Sequence, residues 1–362
     1  MNYIKLKALF FGLTQDPGGS NYQRLGCLRQ LGVKVEAHDT GVFHRTPVLF
    51  ERIRRKLTNT AFSETEVRNY NTLVLAACAG AQPDFVWFEW PVLMEAQTLA
   101  RIREQWPGTL LICFQDDNPF GDLKSERLRW RKFIKNISLY DIHFVKRPSD
   151  VVEFSKRGAK RVLLFQHGVY EPLFHPDDRP ITERGSHIPV SFVGTALDHR
   201  IGCIAKLISK HRILLQVYGT RWNRTWVGWR YARYFSPETY AEDYVKVIWN
   251  SRISLAFVSS GNRDEYTMRT FEIPGSGGFL LAERTPKHQE LYEEGIEAEF
   301  FSSAEECADK IKFYLNNEEA RQRIATAGYE RCVRSDYRLV SRMREALAHL
   351  FPSAELAPAG QY

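Results

Sequence analysis

No C-x-x-C pair occurs among the six cysteines, Cys27, Cys78, Cys113, Cys203, Cys307 and Cys332. The spacing therefore signals neither a zinc cluster nor a thioredoxin-type dithiol. Cys113 and Cys203 lie in apolar contexts, where a cysteine behaves as a small buried hydrophobe. Scattered thiols of this kind fit a reducing, cytoplasmic setting. No run approaches the ~18 apolar residues that cross a bilayer. The opening KLKALFFGLTQDP is too short for a signal h-region and breaks into Thr14, Gln15, Asp16 and Pro17. It is expected to be a first core strand. There is no internal repeat at a solenoid period and no low-complexity tract. The glycine loop QDPGGSN lacks the full G-x-G-x-x-G pattern, which disfavours a dinucleotide site.

What is present is a globular composition over 362 residues, 44% hydrophobic and 26% charged. That length exceeds one ordinary core, so two domains are expected. Aromatic residues make up 13%, a level that suits clefts and stacking surfaces. The formal net charge of +7 fits an acidic ligand, an anionic membrane or nucleic acid, and does not choose among them.

Apolar strand patterns alternate with amphipathic ones. In the first half, strands are predicted at Lys7–Leu13, Val33–Asp39, Phe85–Trp90, Leu110–Phe114, Ile142–Lys146 and Val162–Gln166. Helices are predicted over Asn21–Leu31, Arg45–Asn71 and Pro91–Gln105. The stretch EPLFHPDDRPITERGSHIP carries four prolines and reads as a linker. Beyond it, strands recur at Val190–Val193, Ile213–Tyr218, Ile253–Val258, Phe279–Ala282 and Glu299–Phe301. Ser303–Asn316 reads as a helix opened by a Ser303/Glu306 capping box, with Cys307, Ile311, Tyr314 and Leu315 on one face. Helices over Glu318–Cys332 and Tyr337–Phe351 follow, and a frayed tail from Leu356. The expected organisation is α/β: two Rossmann-like, doubly wound domains with a cleft between them. The expected bounds are 1–170, a linker over 171–188, a second domain over 189–335, and a C-terminal helix over 336–362 packing back toward the first.

Ile253–Glu283 organises the second half. A buried-strand pattern leads into a polar loop, a helix start, a glycine turn and a returning strand. In open α/β sheets such loops lie at the carboxyl ends of strands, where ligands bind. Asp264 and Glu272 stand here with seven residues between them. An acid at a helix start is favoured by the dipole, the same helix end would hold a diphosphate, and the second acid suits a ribose diol. Equally, Asp264 could cap the helix and Glu272 be a buried, paired residue.

The segment RTFEIPGSGGFLLAERTP, with HQELYEEG and KIKFYLNN beyond it, resembles the retaining GT-B glycosyltransferases of group 1, and among them the spore-maturation, CgeB-like branch. That superfamily has two acids separated by seven residues, a Gly five beyond the second, and then a strand. Asp264, Glu272, Gly277 and Phe279–Ala282 fall on those positions. Asp264 stands where the wider family has Glu, and Thr267 replaces a small Gly. The resemblance covers Pro189 to Arg334 well and the first half in outline. It implies that Glu272 binds the ribose of a nucleotide sugar, that Asp264 approaches the sugar, and that the backbone between them, with Thr270, meets the diphosphate. Arg263 and Arg269 would neutralise the leaving diphosphate; pairing with the two acids is the plainer alternative.

By the same resemblance, Gly194 in SFVGTALDHR faces the donor and Arg200 meets its phosphates. Tyr218, Gly219 and Trp222 lie near the base. The run RWNRTWVGWRYARYF reads as a partly buried insert beside the donor pocket, and nucleic-acid binding is disfavoured because no recognised module accompanies it. In the first half, Gly18 and Gly19 form an amide-rich loop suited to phosphate. Asp116 and Asp117 end a strand and suit an acceptor base or a turn; Glu89 has the same ambiguity. His167 in FQHGV suits a donor phosphate or a structural role. The basic clusters Arg52–Lys56 and Arg127–Lys135 suit solvated helix faces or an anionic membrane at its cytoplasmic side.

The function expected from sequence is a hexosyltransferase-type glycosyltransferase (EC 2.4). It would use a UDP- or GDP-sugar as substrate, with no metal and no cofactor. The acceptor would be a glycan, a lipid-linked glycan or a protein. A nucleotide-sugar epimerase and a non-catalytic nucleotide-sugar-binding module are the alternatives.

Overall fold

A computed structural model describes residues 5–43, 60–121, 127–178 and 188–352. The chain forms two compact units. One comprises Met1–Gln166 with Arg342–Tyr362, the other His167–Ser341.

The first unit alternates β1 (Lys7–Gly12), α1 (Ser20–Gln30), β2 (Lys34–Asp39), α2 (Glu64–Ala79), β3 (Phe85–Glu89), α3 (Ala96–Gln105), β4 (Leu110–Gln115), α4 (Arg127–Asn136), β5 (Ile142–Val145), α5 (Pro148–Ser155) and β6 (Val162–Leu164). The strands are parallel, in the order β2-β1-β3-β4-β5-β6. β3 is buried at every position, the continuous apolar run that a sheet covered on both faces demands. The order reverses between β1 and β3, so the crevice outside their carboxyl ends is a topological switch point.

The expected helix over Arg45–Asn71 differs. Residues 44–59, and with them the Arg52–Lys56 cluster, lie outside the described residues. The helix seen starts at Glu64, where Ser63 and Glu66 exchange capping hydrogen bonds. The expected start at Pro91 also moves, because α3 opens only at Ala96. Residues 91–95 are instead held by Asn71, whose side chain donates to the Leu93 carbonyl and accepts from the Glu95 amide. In α4, Trp130 and Phe133 turn inward while Arg127, Arg131, Lys132 and Lys135 are exposed.

The second unit runs β7 (Ile188–Val193), α6 (Arg200–Ser209), β8 (Leu215–Tyr218), α7 (Trp226–Arg230), β9 (Phe235–Ser236), α8 (Ala241–Trp249), β10 (Ser251–Ala256), α9 (Arg269–Gly275), β11 (Leu280–Glu283), α10 (Pro286–Leu291), β12 (Glu299–Phe301), α11 (Ala304–Asn316), α12 (Glu318–Arg334) and α13 (Leu339–Leu350), the last continuing into the first unit from Arg342. Its parallel sheet has the order β12-β11-β10-β7-β8-β9. This is the doubly wound dinucleotide-fold order, and its switch point lies between β7 and β10. β9 and α7 fall in the aromatic run, where neither was expected. The expected capping box at α11 is half formed. Ser303 accepts from the Glu306 amide, but the Glu306 carboxylate turns to the Ser302 amide and Arg284. Of the Pro-rich stretch over 171–188, residues 171–178 belong to the second unit, with Phe174 buried edge-on against Tyr244. Residues 179–187 lie outside the described set.

All six cysteines are free, and all but Cys203 are buried. Among the described residues no helix is long and apolar enough to cross a membrane.

Candidate functional site

In the second unit the site grows from the loop after β10. Arg263 adopts a left-handed φ of 55°, a strained conformation for a residue with a side chain. The turn is closed by the Arg263 amide donating to the Ser260 carbonyl and the Asp264 amide to that of Ser259. Ser259 is tied in turn to Asp198 through its hydroxyl at 2.7 Å. Glu283 at the end of β11 accepts from the Val258 amide at 2.8 Å and pairs with His199. Two acids that sequence reasoning passed over thus hold the loop that presents Arg263 and Asp264.

Glu272 lies in α9 and is only 4% exposed. Burial pushes its carboxyl from the ordinary 4.5 up to about 7, opposed by the nearby Arg269 guanidinium. Tyr244 of α8 turns its hydroxyl toward the carboxylate without closing a hydrogen bond. Arg269 also lies near the Tyr244 ring, its guanidinium carbon 6.0 Å from the centroid.

Arg200, at the start of α6, is buried and donates to the Val258 carbonyl at 3.1 Å. Burial and the proximity of Arg269 both pull its pKa down. The Nε groups of Arg200 and Arg269 are buried donors with no acceptor among the described residues. Asp198, Glu283 and Asp264 offset only part of the burial and the repulsion at Arg200, and the two Nε donors remain unspent, at a cost in free energy that a further anion would reduce. An anion would relieve both the charge repulsion and the unmade hydrogen bonds.

Thr270 is fully buried and acts within the fold. Its hydroxyl accepts from the Thr267 amide and lies 2.8 Å from His288 Nε2. His288 Nδ1 lies 2.6 Å from the Glu283 carbonyl. A carbonyl only accepts, so Nδ1 carries the proton and Thr270 donates to Nε2. Burial holds the His288 pKa down at about 4. Thr270→Val breaks this relay in the middle and leaves two buried partners unsatisfied, at a cost of about 1–3 kcal/mol. Urea unfolding of the variant is expected to show that loss, and a midpoint equal to wild type would contradict the relay.

The β7 and β8 loops touch through glycine. Gly219 has φ 147°, and a Cβ there would stand 2.2 Å from the Gly194 carbonyl oxygen. The Gly194 amide donates to the Tyr218 carbonyl, and its carbonyl accepts from the Trp222 indole, both at 2.8 Å. Trp222 is therefore buried in the core behind these loops, while Tyr218 is half-buried beside them. Gly277 at φ 73° closes the turn after α9, the Gly278 amide returning to the Ile273 carbonyl, an arrangement for which glycine is the natural residue. His167 is buried with its ring edge-on to Tyr266 at 6.0 Å.

In the first unit, the loop of Gly18 and Gly19 folds over Asp16, which accepts from the Gly18 amide through its side chain and the Gly19 amide through its carbonyl. Ser20, at the start of α1, donates to Asp116 at 3.0 Å. Arg24, one turn later, grips Glu89 through two hydrogen bonds of 2.7 Å and reaches Asp116 at 2.9 Å. It also lies over the Phe114 ring at 3.8 Å. Glu89 further accepts from Asn21 and from the Trp87 indole. Both oxygens of the Glu89 carboxylate are thus taken by neighbours within the fold. Arg147 donates twice to the Asp116 carbonyl. Asp117 is half-buried, its carbonyl accepting from Gln115.

Sequence reasoning missed Arg24, Tyr244, His288 and Glu283. Arg24 and Tyr244 sit in helices whose pattern marks only faces. His288 and Glu283 lie inside the recognised motif, but their partners are set by the return of the chain.

Residues 200–348 match the glycosyl transferase-like family. No curated protein sequence matches the chain. Among solved structures the chain is similar to sucrose-phosphate synthase from Thermosynechococcus elongatus, at TM-score 0.68 and 12% identity over 96% of this chain and 100% of that one. It is similar to Anabaena HepE in complex with UDP-glucose, at TM-score 0.61 and 13% identity over 96% and 100% of the two chains. A third is the trehalose 6-phosphate synthase of Burkholderia multivorans, at 0.60 and 12% over 96% and 98%. At such identities the likeness is one of fold. The chain has the GT-B fold of two parallel six-stranded units. The family match and this fold together support a glycosyltransferase.

Proposed function

We propose that the second unit binds a nucleotide-sugar donor and that the chain transfers its sugar, with retention, to an acceptor taken by the first unit. The observation that carries this reading is the approach of buried Arg200 to half-buried Arg269, each with a buried Nε donor that finds no acceptor among the described residues, with Glu272 near Arg269. In the proposed arrangement they hold the diphosphate, with Arg263 joining them. Glu272 accepts from the two ribose hydroxyls. Asp264 faces the sugar, and Tyr218 lies along the base at the loops of Gly194 and Gly219. The donor-bound form of a fold neighbour, HepE with UDP-glucose, supports a UDP-sugar as the first donor to try.

In the reaction the bond between the anomeric carbon and the diphosphate oxygen breaks, and a bond from the acceptor oxygen forms at that carbon. The acceptor proton passes to the leaving phosphate, so no protein nucleophile is required. The arginines stabilise the charge that gathers on the leaving group. In the first unit, Asp117 is proposed to serve the acceptor side, and the amides of the Gly18–Gly19 loop are proposed to contact phosphate.

The test is incubation of the protein with UDP-, GDP-, ADP- and dTDP-sugars. Slow release of nucleoside diphosphate and free sugar from one donor is expected. Release of an epimerised sugar still bearing its nucleotide would replace this reading with an epimerase. Binding without turnover in the presence of acceptors would replace it with a binding module.

A further inference from the structure

The chain carries no Asp or Glu between Asp198 and Glu238. Within that stretch Arg221, Arg224, Arg230 and Arg233 are all exposed, and among the described residues none of them has a carboxylate partner. Arg230 and Arg233 instead lie over the rings of Tyr231 and Tyr234, at 5.2 and 5.0 Å. Between Arg224 and Arg230 stand two outward tryptophans. Trp226 is 61% exposed and Trp229 81%.

This presentation is built. Trp222 and Val227 are buried and anchor the segment from within. Thr225 donates to the Trp222 carbonyl at 2.7 Å and accepts from the Gly228 amide at 3.0 Å, capping α7. A Cβ at Gly228 would stand 2.0 Å from the Trp222 carbonyl oxygen, so only glycine lets the turn close this tightly. With Val227 and Gly228 inward, Trp226 and Trp229, three apart on one turn, face outward together. Exposing two large rings is unfavourable in water, and the ring contact that Trp226 makes within the segment, edge-on to Tyr231 at 6.4 Å, still leaves it largely exposed.

We propose that Arg221–Arg233 is a docking surface for an anionic lipid bilayer. Tryptophan is favoured at the headgroup level, where one part of the ring is apolar and the other wet. Arginines around it attract an anionic leaflet and can keep their charge in water while their stems lie along the surface. The shape separates this from the other polyanions. A nucleic acid or an acidic glycan stacks its rings on a platform or in a groove. A side chain as clear of the surface as Trp229 suits insertion into a soft phase. The proposal is independent of the donor-site reading, because none of these outward residues belongs to that site.

The experiment is sedimentation of the full chain with phosphatidylcholine vesicles, with and without added phosphatidylglycerol, at low and high salt. Binding to the anionic vesicles is expected to be roughly tenfold or more tighter than to the neutral ones and to weaken with salt. Trp226→Ala with Trp229→Ala, and separately Arg224→Glu with Arg230→Glu and Arg233→Glu, are each expected to lose roughly tenfold or more. Both variants change only exposed side chains and should melt as wild type does. No sedimentation with phosphatidylglycerol vesicles at low salt would overturn the proposal. So would wild-type binding by the tryptophan variant, which would move the contact elsewhere, for example to the basic face of α4. Binding of a single-stranded oligonucleotide that both variants abolish, without vesicle binding, would assign the surface to nucleic acid instead.

Discussion

Glu272→Gln is expected to stabilise the second unit at pH 8 while weakening its affinity for a nucleoside diphosphate. Burial raises the Glu272 carboxyl from 4.5 to about 7. Between those values the folded chain binds a proton that the unfolded chain does not. Stability therefore falls as pH rises through the window, and above it the whole penalty of the buried charge is present. A shift of that size corresponds to about 3 kcal/mol. The amide carries no charge and should recover most of that amount at pH 8 and little at pH 4, readable as a urea midpoint at each pH. Function moves the other way. A carboxylate accepting from two ribose hydroxyls makes charge-assisted bonds worth about 1.5–3 kcal/mol, so Glu272→Gln should lose roughly 10–100-fold in UDP or GDP affinity by calorimetry. Wild-type affinity should itself fall below pH 7 as the carboxyl takes up its proton, and that dependence should vanish in the variant. A residue kept at a cost in stability is the signature of a binding role. Unchanged nucleotide affinity would remove Glu272 from the ribose, and an unchanged midpoint at pH 8 would remove the burial penalty.

The spacing of Asp264 and Glu272 was legible because both lie in one βαβ unit, where the order of strand, loop, helix and glycine turn fixes positions locally. The same holds for the alternation of strands and helices, since both sheets are parallel and central strands such as β3, β4 and β11 are apolar runs. What could not be read depends on direction or on distance along the chain. In the aromatic run, Trp222 turns into the core and Trp226 and Trp229 turn out. The segment passes through a short 3-10 turn, one helical turn, a second 3-10 turn and a two-residue strand, and no single periodicity survives so many changes. The linker reading of residues 171–178 followed from proline and charge, but Phe174 has an apolar seat against Tyr244 that composition does not reveal. At α11 the capping pattern was present, yet Arg284 competes for Glu306 and wins. Arg284 reaches it from the other side of β12, 22 residues away along the chain.

The network around Arg24 shows the same limit and gives the other large expected effect. Arg24 and Glu89 are 65 residues apart, and their side chains are almost wholly buried. Burial pushes the Glu89 carboxyl up while Arg24 opposes the shift, and the two acids raise the Arg24 pKa against its own burial. Arg24→Met would leave Glu89 as a buried charge without its partner. The expected loss is about 3–5 kcal/mol of the first unit's stability, measured by urea unfolding at pH 8. The remaining carboxyl would then take up a proton more readily. The folded form would bind that proton over a wider range above the ordinary 4.5, so the deficit should shrink as pH is lowered toward 5. Adding Glu89→Gln removes the stranded charge while keeping an oxygen for the Trp87 indole. The double variant should therefore recover much of the loss, because a neutral pair of similar volume escapes the desolvation of two ions. Recovery would identify the single-variant penalty as electrostatic. Failure to recover would mean that the guanidinium matters chiefly as a strut, joining Glu89 at the end of β3 to Asp116 beyond β4 and holding Ser20 beside the Gly18–Gly19 loop. In that case the loss should also appear as faster proteolysis of that loop under native conditions.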